Sequence, residues 1–483
     1  MLNHLKNEFN KTQTANGAFA YASTKSDVLD LFALGGAYRN RKDEEVVQLF
    51  SKAFAENTLL ALKTLFYLRD VTQGQGERRF FRLALNHLAL HNKEALSKNL
   101  HLIPSFGRWD DLWVLLETSL KNEVVELVRQ QLLLDRVSDS PSLLGKWMPS
   151  ENASSLQTKK YARILIQAFN TEPKKYRKLL SKLRKKINIV ETKLTRKNYK
   201  SIQYDKLPSK AGMIYRGAFF RNDEVRYKEF LDSLSKGEKT VNAGTLYPYE
   251  IVSKALGMRY GQNREEVQLL DGMWNNLPNF IGDRKENSIA VVDVSGSMYG
   301  TPMEVAISLG IYLAERNEGH FHNHFFTFSE RPSLQQIKGT NIVEKVSNMS
   351  RADWGMSTNI ESVFKKILLT AVNNNVPADE MIDRLYIISD MQFNQCVSGA
   401  KTHIFKNLAE QFELNGYKLP KLVFWNVNAF MSNVPFTMDE NGVQLVSGFS
   451  PSIFQNLLGN EEVNPYELML EVVNSERYKE ITV

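Results

Sequence analysis

Cysteine is almost absent: Cys396 is the only one in 483 residues. An intrachain disulfide is therefore excluded, as is a zinc site built on several thiolates, and a reducing, cytoplasmic compartment is expected. Long apolar runs are missing too. No stretch approaches the roughly 18 residues that a bilayer-spanning helix needs. Residues 1–14 alternate charged and apolar side chains and contain no signal-peptide core. Neither a secreted nor a membrane-embedded protein is expected. No repeat of fixed period is present. The composition, 43% hydrophobic and 24% charged, is that of a globular chain, and the length implies two or three domains.

Acidic residues are scarce in one place. Residues 159–200 hold fifteen lysines and arginines against two acids, Glu172 and Glu191, whereas the whole chain has a formal net charge of +7. The remainder is therefore net acidic, and this asymmetry points to a polyanionic partner. Lys174, Lys175, Arg177, Lys178, Lys182, Arg184, Lys185 and Lys186 would neutralise phosphates. Tyr176, with Tyr161, Phe169, Tyr199 and Tyr204 interleaved, would offer stacking faces to unpaired bases. The alternative is a solvated helix face whose rings belong to the core.

Up to about residue 285 the chain reads as helix after helix. Apolar residues recur at helical spacing over 46–54, 58–69, 80–90 and 112–133, with breakers between at Gly35-Gly36, Gly74-Gln75-Gly76, 104–107 and 141–145. No useful strand-like alternation precedes residue 285. Successive short helices suggest a stacked, HEAT-like helical-repeat array over 1–285. The texture changes across 278–287. Strands are then expected at 288–294, 324–328, 384–389 and 422–427. They alternate with helices at 303–315, 359–372, 402–414 and 452–458. That alternation predicts a doubly wound α/β domain with a parallel sheet over 286–483.

Asp293-Val294-Ser295-Gly296-Ser297 follows the first of these strands directly. Ligands in open α/β sheets bind beyond the carboxyl ends of strands. One carboxylate and two hydroxyls in alternation place three hard oxygens on one side of a tight turn, a set suited to Mg²⁺ or Mn²⁺ rather than zinc. Thr358 lies in a loop before a helix, and Asp390 ends the strand 384–389. The other reading of the pentapeptide is a turn that caps the next helix.

In order and placement, Asp293, Ser295, Ser297, Thr358 and Asp390 resemble the metal-ion-dependent adhesion site of von Willebrand factor A (vWA) domains. One departure stands out: many vWA domains carry Asp-Gly in the third loop, and here the sequence is Asp390-Met391-Gln392. Helical array first and vWA domain second is a layout that resembles the Ro (TROVE-module) ribonucleoproteins. The helical half also carries the segments 31–40, 66–79 and 106–112, which look like signatures of a family of unknown function with Ro-like architecture, found in cellular and viral genomes. The resemblance implies a non-enzymatic, cytoplasmic protein that binds small structured RNA or single-stranded RNA ends. The alternative it leaves open is an adaptor or virion component whose metal ion captures an acidic residue of a protein partner. A metal-dependent nuclease is a third reading.

Other features carry plainer readings. Gly74-Gln75-Gly76-Glu77-Arg78-Arg79 has no preceding strand and no Gly-Lys-Ser/Thr, so a helix–helix turn is expected rather than a phosphate loop. Arg108, Trp109, Asp110 and Asp111 stand at a helix start, where the acids would meet the helix dipole and the indole would pack. His320, His322 and His324 would share a face if extended, and are expected as strand-edge polar residues. With two carboxylates and no evident general base beside them, the metal site suggests recognition rather than catalysis.

Overall fold

Apolar side chains at intervals of three and four fold into helices throughout the first half of the computed structural model. It describes residues 9–244, 246–258, 264–282, 286–328, 332–351, 359–394, 404–457 and 463–483. Helix Asp43–Glu56 buries Val46, Phe50 and Ala53 along one stripe. Helix Thr58–Arg69 is buried all round from Ala61 onward, as a central helix must be. Helices Asp27–Leu34, Asp43–Glu56 and Arg78–His91 pack around it. One expected helix divides: 112–133 is a 3-10 turn, Trp109–Glu117, followed by the helix Lys121–Val137. Thr118 makes the break, because its hydroxyl donates to Leu115 O and accepts from Leu120 N, closing one element and opening the next.

Two short strands that the sequence reading did not foresee precede these helices. β1 (Lys11–Gln13) and β2 (Phe19–Tyr21) form an antiparallel hairpin.

The second half is an α/β domain. β3 (Ser288–Val292), β4 (His324–Thr327), β5 (Leu334–Gln336), β6 (Arg384–Ser389), β7 (Lys421–Asn426) and β8 (Val443–Ser447) form one sheet in the order β5-β4-β3-β6-β7-β8. All neighbours are parallel except the edge pair β4–β5. β3 and β6 are buried at every position, as the central strands of a doubly covered sheet are. Alternate residues face opposite layers. Ala290, Val292, Tyr386, Ile388, Val423 and Trp425 join the core shared with helix Thr301–Arg316 and the helical region. Ile289, Val291, Leu385, Ile387, Leu422 and Phe424 pack with helices Ile360–Asn374 and Ile404–Leu414. Edge strand β5 and outer strand β8 were missing from the sequence reading. Of the three alternating histidines only His324 is in a strand; His320 and His322 lie in the preceding turn. The Nδ1 atoms of His322 and His324 engage Asn317 O and His322 O.

The helical region meets the α/β domain at both of its ends. Helix Asp27–Leu34 packs on β8 and on helix Pro465–Val473, while helices Pro248–Leu256 and Arg264–Asn275 pack on helices Thr301–Arg316 and Ile342–Met349. The segments singled out in the sequence converge at the first junction. Gly36 N donates to Ser447 Oγ at 3.1 Å, and the Arg39 guanidinium lies over the Phe449 ring. Asp70, fully buried, accepts from Arg477 Nε and Nη2 at 2.8 and 3.0 Å and from Tyr478 OH. Asp111, also fully buried, binds Arg69 Nε and Nη2 at 2.8 and 2.7 Å, Arg82 Nε at 2.7 Å and the Arg108 N–H. Gly74–Glu77 lies in the turn between helices, Arg78 and Arg79 open the second of them, and Glu77 caps it.

Asp30 gives the first testable consequence of this packing. Burial pushes its carboxyl up to about 6, against hydrogen bonds from Ser23 and Thr24 that pull it down. The folded state therefore holds the proton more tightly than the unfolded chain. The associated stability is complete below the ordinary carboxylate range and is lost as pH rises through about 6. Asp30→Asn should keep an acceptor for Thr24 N–H and remove the buried charge. Relative to wild type, the variant should gain up to about 3 kcal/mol from below the ordinary carboxylate range to neutral pH. Urea unfolding of both proteins at the two pH values measures it; a difference independent of pH would refute it.

Candidate functional site

β3 and β6 lie side by side at the centre of the sheet, and the chain leaves them toward opposite edges. The crevice beyond their carboxyl ends is the topological switch point, the usual ligand position in open α/β sheets. Asp293 and Asp390 each follow one of these strands directly, and both are fully buried. Asp293 N–H continues the ladder to Ile388 O. Its Oδ1 accepts from Ser295 N–H at 2.8 Å and its Oδ2 from Ser389 Oγ at 2.7 Å. Above the carboxylates the hydroxyls of Ser295 and Ser297 stand 3.2 Å apart, Ser295 half-buried and Ser297 exposed. Asn428 Nδ2 holds Ser297 O from the β7 side.

Two observations say what this cluster suits. Asp390 Oδ1 accepts from Gln392 N–H, whereas Oδ2 is buried without a hydrogen-bond partner among the described residues. Burial also pushes the Asp293 carboxyl up to about 6, and the nearby Asp390 charge adds to it. Burial raises Asp390 too, against the Ser297 hydroxyl. Two buried acids with an open oxygen lobe, and two hydroxyls at the mouth, are a hard-oxygen donor set that a small divalent cation would satisfy. Thr358 lies outside the described residues; helix Ile360–Asn374, which follows it, is capped by Asn359. Ser389 and Gln392 belong to this site and escaped the sequence reading, since one ends an apolar strand and the other follows Met391, which stands in place of the glycine of Asp-Gly.

The basic residues sort into two groups. Helix Pro173–Ile187 buries Tyr176, Leu180 and Leu183. Tyr176 is a core residue with no exposed ring face, and its hydroxyl donates to Pro149 O at 2.9 Å, so the stacking role expected for it gives way to packing. Arg184 donates to Gly145 O, Met148 O and Ser150 Oγ, and Lys186 to Asp135 O and Arg136 O. Arg177 pairs with Glu151, and Lys175 with Glu172 at 3.4 Å. Lys174, Lys178, Lys182 and Lys185 are exposed and make no ion pair or hydrogen bond with the described residues. At about 100° per residue these four fall within roughly 80° of arc and span about 16 Å, opposite the buried stripe.

Fold and site together define a helical region joined at both ends to an α/β domain with an oxygen-lined crevice at its switch point. Residues 14–142 and 142–284 match the model of a domain of unknown function, DUF2828, and residues 287–482 match a second, DUF7788. The chain belongs to the DUF2828 family. Uncharacterized protein L728 of Acanthamoeba polyphaga mimivirus is 32% identical over 510 residues, which cover 96% of this chain and 87% of that protein. The crystal structure of the Deinococcus radiodurans RO (RSR) protein aligns with 94% of this chain and 100% of that one, at a TM-score of 0.40 and 13% identity. No described helix is long and apolar enough to cross a membrane.

Proposed function

We propose that the protein is a non-enzymatic, cytoplasmic RNA-binding protein in which a HEAT-like helical array is closed by a vWA domain holding Mg²⁺ or Mn²⁺. The observation that carries RNA binding is the stripe of Lys174, Lys178, Lys182 and Lys185, four exposed cations on one helix face with no acid among the described residues paired to them. Spaced along about 16 Å, they match the repeated charge of a phosphate backbone better than a single anionic ligand. Contact is therefore electrostatic, with Arg184 and Lys186 building the helix's seat and Tyr176 its core. Affinity should fall steeply with salt. Replacing the four lysines by Gln should reduce the log–log slope for single-stranded RNA by about three units if all four touch phosphate. Tyr176→Ala should lower stability instead. Titrations across salt concentrations that show no RNA affinity, or an unchanged slope in the quadruple variant, would overturn the assignment.

A second reading is favoured by the exposed mouth of the α/β crevice. Ser297 is open to solvent there, with Tyr299 86% exposed two residues on and Phe430 61% exposed beyond Asn428. A metal ion in that mouth would be placed to take a carboxylate from a protein partner. Partner capture that resists nuclease and fails with chelator favours this adaptor reading; capture that survives chelator and fails with nuclease favours RNA.

A further inference from the structure

The third loop of the α/β crevice is not held by the α/β domain alone. Met391 has φ of +64°, a left-handed conformation that side-chain-bearing residues rarely adopt. Its N–H donates to Ser389 Oγ at 3.1 Å. Next to it Gln392, 2% exposed, reaches in two directions. Inward, its N–H donates to Asp390 Oδ1 at 3.1 Å and its Nε2 to Asp390 O at 3.2 Å. Outward, its Oε1 accepts from Ala15 N–H at 2.8 Å and its carbonyl from Asn16 Nδ2 at 2.6 Å. Thr14 Oγ1 donates to Phe393 O at 2.6 Å, and Gly17 bridges Asn394. The far side of the hairpin is tied as well: Tyr21 and Val434 exchange both backbone hydrogen bonds at 2.9 Å. Gln392 Nε2 also donates to Asn433, one residue away.

We propose that Gln392 is a positioning residue for Asp390 and that the N-terminal hairpin clamps it, so that docking of residues 11–21 and divalent-ion binding are coupled. The inference rests on the reading of Asp293, Ser295, Ser297 and Asp390 as ligands. The physical reason is economy of contact. Met391 occupies the place where many vWA domains have glycine, and a loop without that glycine needs outside support, here through the neighbouring Gln392, to keep a left-handed residue beside a ligand. The support is three hydrogen-bonding groups, and a bridge from Gly17, of a hairpin that lies more than 370 residues away in sequence. Whatever the ion gains from an ordered Asp390, the hairpin must gain from the ion, because coupling between two sites is reciprocal.

Hydrogen exchange on the full-length chain, with and without Mg²⁺, tests the coupling without any substitution. Saturating Mg²⁺ should slow amide exchange across residues 11–21 in wild type and leave it unchanged in Asp293→Asn. Gln392→Ala should weaken Mn²⁺ binding on the order of tenfold and abolish the protection. Asn16→Ala, which removes one exposed-side contact from the hairpin, should do both to a smaller degree with an unchanged metal-free melting temperature. A merely structural Gln392 would lower that melting temperature and leave the Mg²⁺-dependent protection in place. If wild type binds Mn²⁺, Asp293→Asn does not, and hairpin exchange ignores Mg²⁺, the clamp is refuted while the metal site stands. If wild type binds no Mn²⁺ at all, the ligand reading fails and the clamp fails with it.

Discussion

Saturating Mg²⁺ should raise the melting temperature of the wild-type protein, and Asp293→Asn should abolish that rise without lowering stability in metal-free buffer. An ion bound only to the folded state stabilises it by about 2.7 kcal/mol at a hundred times its dissociation constant. That gain should vanish when one of the two buried carboxylates loses its charge. Metal-free stability should hold or increase, because burial, and after it the nearby Asp390 charge, make ionisation of Asp293 costly. Asn is the instructive substitution. Asp293 is fully buried, so Ala would strand both the Ser295 N–H and the Ser389 hydroxyl, whereas Asn keeps its oxygen as an acceptor for one of these two donors and removes the charge. Scanning calorimetry with Mg²⁺ and with chelator gives the answer; an equal Mg²⁺ shift in both proteins would remove Asp293 from the ligand set.

Asp111→Ala will be far more damaging to the fold itself. Its carboxylate takes three hydrogen bonds, from Arg69 Nε, Arg82 Nε and the Arg108 N–H, and Arg69 Nη2 adds an ion-pair contact at 2.7 Å. Arg69 is 1% exposed, so loss of the acid leaves a guanidinium buried and unpaired. Breaking a buried pair from one side costs about 3–5 kcal/mol. Asp110, bound to Arg82 at 2.8 Å on the outer side, cannot follow it inward. Arg69→Met combined with Asp111→Ala should be less harmful than the sum of the two single changes, since no lone charge remains. Urea unfolding of the four proteins checks both statements; additive losses would mean that the pair is not coupled.

The helices, the parallel strands and the acidic ends of β3 and β6 were legible because each depends on a local pattern. Five buried residues precede Asp293, six precede Asp390, and helical spacing marks Phe50 and Phe66. The lysine stripe was legible in principle as well. Tyr176, Leu180 and Leu183 share one helix face and Lys174, Lys178, Lys182 and Lys185 the other, so a helical wheel separates core from solvent where a list of basic and aromatic residues does not. Thr118 split a helix through a side-chain hydrogen bond that leaves no trace in apolar spacing. The hairpin of β1 and β2 was out of reach for a different reason. Three residues a strand carry no periodicity, and their order comes from Gln392, Phe393 and Val434, which a local window never sees. Gln392 appeared in the sequence only as the residue after Met391, where the chain departs from Asp-Gly, and its partners supply the physical meaning.

The junction between the first helices and the last strand sets a timetable for biosynthesis. Gly36 finds its partner Ser447 after 411 further residues, and Asp70 meets Arg477 after 407. At ribosomal rates of roughly 5–20 residues per second, that separation is on the order of 20–80 s. Throughout the interval, helix Asp27–Leu34 has neither β8 nor helix Pro465–Val473 to cover it, and the Asp70 carboxylate has no guanidinium. The nascent N-terminal half therefore emerges with an uncovered apolar face and an unmatched acid, and it is the last tenth of the chain that ends its exposure to chaperones and proteases.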